Sequence, residues 1–381
     1  MESFLERIAV TYLREELDRM VDYCFVFPNK RSGTFFKYTL EHKTDSTLLL
    51  PHITTITELV YDLTDGVEAS RMEQLFLLYN IYKGISHEIG DFDKFQFWGE
   101  MLLNDFNDVD RYMVDASQLF SNVQRLKEIG ANYLTDEQIE IIRRFWGEER
   151  TDDSIERFWT HVPGTLKDGS VSDRFLKLWE ILDEVYTSFH RELNNRGLCY
   201  DGMAYRDAVD ALRRVGAGDL PYRRYVFIGF NVLSTSEIAI FNRLKQLGVA
   251  DFYWDYNSPA MSIPHNKASR FIGRYVTQFT PIYDIGEEKI TELPDIRIMA
   301  VPSNIGQVKE AGRLLASMVA DGRISDPDNA IDTAVVLPDE ELFIPLIDAI
   351  PESIGDINIT MGYPMRHTSV AALISNIVSM Q

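Results

Sequence analysis

Asn29-Lys30-Arg31-Ser32-Gly33 reads as a polar turn between an apolar run, Cys24 to Pro28, and a helical pattern from Thr34 to about Glu41. A strand that feeds a polar turn and then a helix is where a phosphate-binding loop belongs. That loop has the form G-x-x-x-x-G-K-[ST]. Its glycines let backbone N–H groups cradle phosphate, its lysine neutralises the charge and its hydroxyl holds magnesium. On this pattern Pro28 replaces the first glycine and Gly33 is kept, while Thr34 stands for the lysine and Phe35 for the hydroxyl. Pro28 has no N–H to donate, and Phe35 has no atom for a metal. The place survives and the chemistry is gone, so ATP hydrolysis is not expected at this turn. The run Tyr225–Phe230 sits where such folds carry carboxylates that hold magnesium and polarise water. It ends Gly229-Phe230-Asn231, with no acid.

Other spacings carry less. Asp105-Phe106-Asn107-Asp108-Val109-Asp110 lacks the glycine and the distal glutamate of a calcium loop and reads as a solvated helix boundary. Asp22 with Glu41-His42-Lys43 has the spacing of a metal-dependent nuclease core, but the triplet ends a helical pattern rather than a strand. The seven histidines are scattered, and neither HExxH nor Gly-x-Ser-x-Gly occurs. Among the basic pairs, Lys30-Arg31 is the one to follow. It lies at the carboxyl end of a parallel strand, where open α/β sheets bind ligands.

The elements that would position these residues follow from periodicity. Cys24–Pro28, the helix after it and Thr47–Ile53 make a strand-helix-strand unit of a parallel sheet. From about Glu58 to Leu198 the pattern is helical, with apolar residues three and four apart in Arg71–Ser86, Ala116–Ile129, Asp136–Trp146 and Arg174–Asn194. Strand signals return at Tyr225–Phe230 and Asp251–Tyr256, around a helix at about Ser234–Leu247. The simplest topology closes these strands onto the first sheet and makes the helical block an insertion. A second alternation follows, with strands at Asp295–Pro302, Thr333–Pro338 and Ile357–Met361 and helices at Asn304–Ala320, Glu340–Ala349 and Ser369–Met380.

The chain has 381 residues, of which 45% are hydrophobic, which calls for two or three packed units rather than one. Its 38 Lys and Arg against 59 Asp and Glu give a net charge of −21, which excludes a protein that coats nucleic acid with its whole surface but not a local basic groove. Two cysteines, Cys24 and Cys199, without a CxxC pair argue against a disulfide scaffold or structural zinc and fit a reducing cytoplasm. No run approaches the roughly 20 apolar residues of a membrane span.

In their order, CFVFPNKRSGTFF, LLLPHITTITEL, YVFIGFNVLSTSEIAIFNRLKQLG, FYWDY and NITMGYPMRHTSVAALI resemble the N-terminal part of AddB-type subunits. These are subunits of the bacterial helicase–nuclease complexes that process DNA ends for recombination. The resemblance implies two RecA-like domains of the UvrD type with helical insertions, one or both nucleotide motifs degenerate, and a PD-(D/E)xK nuclease at the far C-terminus. On that reading residues 1–60 and 200–285 form the first RecA-like domain and 61–199 its all-helical insertion. Residues 286–381 begin the second domain and its insertion, so the chain is expected to be the front portion of a longer protein.

Departures at Thr34, Phe35, Gly229 and Phe230 fit an inactivated motor. Magnesium would belong only to a nuclease beyond these residues. Thr55 and Thr57 match the T-x-T stretch that contacts single-stranded DNA in UvrD-type helicases, and hydroxyls can bond phosphate. Tyr253, Trp254 and Tyr256 are either bases' stacking partners or core. The implied partners are single-stranded DNA, through Lys30, Arg31, Thr55 and Thr57, and an AddA-like helicase–nuclease subunit. Two other readings are a nucleotide-dependent enzyme in which Lys30 replaces the missing lysine, and a pure protein-interaction scaffold.

Overall fold

The computed structural model describes residues 3–44, 49–86, 92–120, 171–256, 261, 266–267, 269–286, 295–362 and 364–380. The helix expected at Asp136–Trp146 and the part of Ala116–Ile129 beyond residue 120 lie outside them, as do residues 47 and 48 of the second expected strand. The chain divides into two compact units, Met1–Thr291 and Glu292–Gln381.

The first unit is an α/β layer with a helical block. Helix α1 (Phe4–Glu15) starts at a capping box in which Ser3 Oγ accepts from the Glu6 N–H and the Glu6 carboxylate accepts from the Ser3 N–H. Then come β1 (Tyr23–Phe27), α2 (Lys30–Lys43), β2 (His52–Thr55), α3 (Ile56–Asp62), β3 (Val67–Glu68), α4 (Arg71–Ser86) and α5 (Phe92–Arg111). After residues 121–170 follow α6 (Val171–Asn195), β4 (Leu198–Cys199), α7 (Asp201–Arg214), β5 (Arg224–Ile228), α8 (Thr235–Gln246), β6 (Ala250–Tyr253) and the single turn α9 (Ile272–Tyr275).

Four strands pair in the order β2-β1-β5-β6, all parallel, with Cys24 opposite His52 and Tyr225, and Tyr225 opposite Ala250. The alternation of side chains along each strand sorts them into two cores. Tyr23, Phe25, Phe27, Val226, Ile228 and Tyr253 pack with Ile8, Tyr12, Phe36 and Leu40 of α1 and α2. Cys24, Val26, Tyr225, Phe227 and Phe252 join the larger core of α3, α7, α8 and the helical block. A fully buried side chain of this size contributes about 1.5–3 kcal/mol, so the two cores together hold the sheet.

Asp251, fully buried on β6, ties one core together without an opposite charge. It accepts from Tyr12 Oη at 2.5 Å, Tyr253 Oη at 2.9 Å, and the backbone N–H groups of Phe252 at 2.9 Å and Ile282 at 2.7 Å. Burial, with Asp251 next to it, lifts the Tyr12 hydroxyl well above its ordinary pKa and keeps it a donor.

A two-residue parallel ladder, β3 with β4, clasps the two ends of the helical block. Val67 lies opposite Leu198 and Glu68 opposite Cys199, extended by Val67 N–H to Gly197 O and Ala69 N–H to Cys199 O. Inside the block Asp110, expected in a solvated boundary, is instead fully buried in the last turn of α5. Tyr186 Oη donates to it at 2.6 Å, Tyr200 Oη donates to the same carboxylate, His190 Nε2 lies at 2.8 Å and Arg206 Nε at 2.7 Å. Burial pushes this carboxyl up, and the His190, Tyr186 and Tyr200 contacts outweigh it, so its pKa ends below the ordinary value.

The second unit contains α10 (Asn304–Ala320), α11 (Phe343–Ala349) and α12 (Ser369–Ser379). Its expected strands at 295–302, 333–338 and 357–361 are corrected: the described residues there form no ladder. Ile298 is 91% exposed and Val336 83%. Strand propensity expresses packing on a pleated, covered surface, and these β-branched runs have no such cover among the described residues.

The Asp251 contacts yield a stability test. Asp251→Ala orphans two buried hydroxyls and two N–H groups at roughly 1–3 kcal/mol for each left unsatisfied. A loss of about 3 kcal/mol or more is expected in urea unfolding; a loss below about 1 kcal/mol would show that the cluster is dispensable.

Candidate functional site

Between β1 and β5 the order of strand addition reverses, since β1 leads outward to β2 on one side and β5 outward to β6 on the other. Ligands of open α/β sheets bind outside the carboxyl ends of strands at such a point, so the site is built here from three strand ends.

At the end of β1, Pro28 is exposed and Asn29 is the N-cap of α2, its Oδ1 accepting from the Ser32 N–H at 3.0 Å. The expected turn Asn29–Gly33 is therefore corrected: Lys30 to Gly33 form the first turn of the helix. Asn is among the strongest N-cap residues, and it starts the helix before a loop can form. Gly33 serves packing. A Cβ there would lie 3.0 Å from Ile53 Cγ2 and 3.5 Å from the Phe27 ring, so glycine lets α2 sit close on the sheet. Thr34 Oγ1 donates back to the Lys30 carbonyl at 3.1 Å, and Phe35 is partly exposed. No extended run of loop N–H groups remains to wrap a phosphate chain.

At the end of β5, Gly229 takes φ +74°, which favours glycine, and its N–H reaches Tyr253 O at 3.0 Å. Phe230 is 4% exposed, with its ring 5.3 Å from Phe241 and 6.0 Å from Phe227. The position beside the switch point is thus filled by core. Ser234 then caps α8: its N–H and hydroxyl donate to Glu237 Oε2 at 2.7 and 2.9 Å, and its oxygen accepts from the Glu237 N–H at 3.3 Å.

At the end of β2, Thr55 caps α3 in the same way. It is buried, its oxygen accepts from the Glu58 N–H at 3.2 Å, and its hydroxyl donates to Glu58 Oε2 at 3.0 Å. Thr54 donates to the same oxygen at 3.2 Å, and Thr57 pairs with Tyr205 Oη at 3.2 Å. Both threonines expected to contact DNA thus have hydroxyls engaged within the fold.

Each capping glutamate also holds a cation from another element. Lys30 Nζ lies 2.9 Å from Glu58 Oε1. Arg111, at the end of α5, lies 3.1 Å from Glu237 and 2.6 Å from Asp201, with its guanidinium 4.2 Å over the Tyr205 ring. Lys30 hydrogen bonding, followed by the Thr55 N–H, holds the Glu58 carboxyl down from its ordinary 4.5 to about 2. Burial pulls the Arg111 pKa down, but Tyr205, Glu237 and Asp201 outweigh it and leave it raised.

Lys30, Thr55 and Thr57 therefore meet around one edge of the sheet, with Arg31 beside them on the exposed first turn of α2. Sequence reasoning missed Arg111, which no linear spacing marks. The capping boxes Thr55-x-x-Glu58 and Ser234-x-x-Glu237 were a readable signal for the two glutamates.

Tyr253 and Trp254 are core: Tyr253 Oη donates to Asp251, and Trp254 Nε1 donates to Phe279 O at 2.8 Å. Cys24 and Cys199 are free and buried, and burial first raises the Cys199 thiol to about 11, far from a reactive thiolate. Among the described residues no group of three or more His, Cys, Asp or Glu is placed to hold a metal ion, and no helix is long and apolar enough to cross a membrane. No family model matches the chain, and no curated protein is significantly similar to it.

Because the Glu58 pKa is depressed, its stabilising effect is present above pH 4.5 and lost as pH falls toward 2. The group is half-exposed, so the effect is about 1 kcal/mol. Urea unfolding of wild type and Glu58→Gln should differ by that amount at pH 6 and converge toward pH 2; a constant gap would deny the linkage.

Proposed function

We propose that the chain is a catalytically silent, helicase-like part of an AddB-like subunit acting in DNA-end processing for double-strand-break repair. Its first unit is a RecA-like layer with a helical insertion, and it guides single-stranded DNA and docks a helicase partner. The observation that carries the silent-motor reading is the packing at the switch point. Gly33 seats α2 on Ile53 and Phe27, and Phe230 fills the place of the second motif with core. A phosphate loop and a metal-holding acid would each have to displace that packing.

For DNA the reading now rests on Lys30 and Arg31. The Lys30 side chain is 81% exposed, and its Glu58 partner is an exchangeable surface ion pair. A phosphate oxygen can take the place of the carboxylate there. Thr55 and Thr57 act indirectly, by fixing the start of α3. Docking draws support from the second unit. Helix α12 carries no charged residue, and Val370, Leu373, Ile374, Ile377 and Val378 are all exposed. An uncharged helix with five large apolar side chains exposed is suited to bury them against other protein.

Fluorescence anisotropy with a labelled oligothymidine should give weak binding that falls with salt, each phosphate contact adding roughly −0.7 to the log–log slope. Lys30→Glu with Arg31→Glu should flatten the slope by about 1.4 on the same scale. ATP turnover by the wild-type chain, abolished by Lys30→Ala, would overturn the silent-motor reading. A slope unchanged in the double variant would remove DNA from this edge.

A further inference from the structure

At the neck of the helical block, beside the β3–β4 ladder, lies a cleft of about 370 Å³ lined by Glu68, Ser70, Arg71, Gln74, Asn107 and Asp201 together with Ala69, Leu103 and Tyr200. Its polar groups divide into those already committed and those that are not. Arg71 is committed: Nε reaches Glu100 Oε2 at 2.6 Å, and its second nitrogen reaches Asn104 Oδ1 at 2.7 Å. Asn107 Oδ1 accepts from the Gly202 N–H at 2.7 Å, and Asp201 Oδ2 is paired with Arg111. Ser70 Oγ accepts from the Glu73 N–H at 3.3 Å.

Two acceptors are left over. Glu68 makes no side-chain hydrogen bond or ion pair among the described residues. Gln74 is only 6% exposed; its Nε2 donates to Ala69 O at 2.8 Å, which fixes the amide's orientation, and its Oε1 has no partner among the described residues. Both can be reached by solvent, whereas the Tyr61 hydroxyl is buried with no hydrogen-bond partner. Burial, the largest cause, raises its pKa and keeps it protonated.

A carboxylate and an amide oxygen that take no donor from the described residues match a group that only donates. Ammonium has three N–H donors and guanidinium five, and neither accepts. The cleft is too roomy for one bare ion, and its Leu103 and Ala69 wall suits an alkyl stem. We infer that the neck cleft binds an organic cation, an alkylammonium or alkylguanidinium group held between Glu68 and Gln74. The group belongs either to a free amine or to a Lys or Arg side chain of a partner polypeptide. Since Glu68 is on β3 and Asp201 opens α7, an occupant joins both ends of the helical block to α5. The inference does not depend on the DNA reading above.

Calorimetry of the full chain at low salt tests it, with agmatine as the free cation and a short uncharged-flank peptide bearing one arginine as the polypeptide source. Saturable one-to-one binding of either probe is expected, and whichever binds identifies the source. Glu68→Gln should weaken binding at least tenfold while leaving the unliganded melting temperature in place, since Glu68 is exposed. Asp18→Asn removes one exposed acid on the far side of the sequence and should change affinity less than twofold. Equal weakening by both variants would mean diffuse attraction to a charge of −21, and that result, or no binding of either probe, overturns the inference.

Discussion

Strands β1 and β5 have no solvent face, and the rest of the first unit follows from that. Each must satisfy two cores at once, so helices have to cover both sides of the sheet and all its polar chemistry is pushed to the strand ends. Tyr12, Phe36 and Leu40 on one side and Phe241 and Tyr205 on the other are the cover. Asp251, the one acidic side chain buried on a strand among the described residues, is tolerated because four neutral donors surround it. What the sheet itself leaves open is a narrow edge where loops leave it.

That edge is occupied by the protein's own anions. The first turn of a helix leaves N–H groups unsatisfied and favours negative charge, which is why bound phosphates collect at such places. Here Glu58 meets that need at α3 and Glu237 at α8, each also neutralising a cation brought from elsewhere. Lys30 thereby links α2 to α3, and Arg111 links the helical block to α7 and α8. The arrangement uses these anions for tertiary cohesion, and the starts of α3 and α8 are already served by internal carboxylates.

The sheet was legible because its signals are redundant. Continuous apolar runs at Cys24–Phe27 and Tyr225–Ile228 and turn-flanked alternation with helices specify a doubly covered parallel sheet, and the helix Arg71–Ser86 was readable from its spacing alone. The errors have separate causes. At Asn29 the competing readings were a loop and an N-cap, and capping won because nothing in Lys30–Gly33 requires a left-handed backbone. Val67–Glu68 and Leu198–Cys199 are too short for any period, so the clasp at the neck was invisible. Asp110 looked like a surface acid because its four partners come from Tyr186, His190, Tyr200 and Arg206, 76 to 96 residues away. In the second unit, strand propensity was read as strand, although propensity alone supplies no neighbouring strand.

Net charge takes on a different meaning once its pairing is known. Lys30, Arg111, Arg206 and Arg224 are each held by a carboxylate of the fold, Arg224 by Glu16 at 2.9 Å. These four cations are used in tertiary contacts. A phosphate arriving at Lys30 must therefore compete with Glu58 rather than fill an empty basic groove. Added salt screens the Glu58 pair and the phosphate contact alike, but only the phosphate contact also releases counterions from the nucleic acid. The balance at this edge tilts toward the internal pair as salt rises. On the proposed reading, DNA would be held at this edge only by exchange of one ion pair for another, which makes for a weak grip.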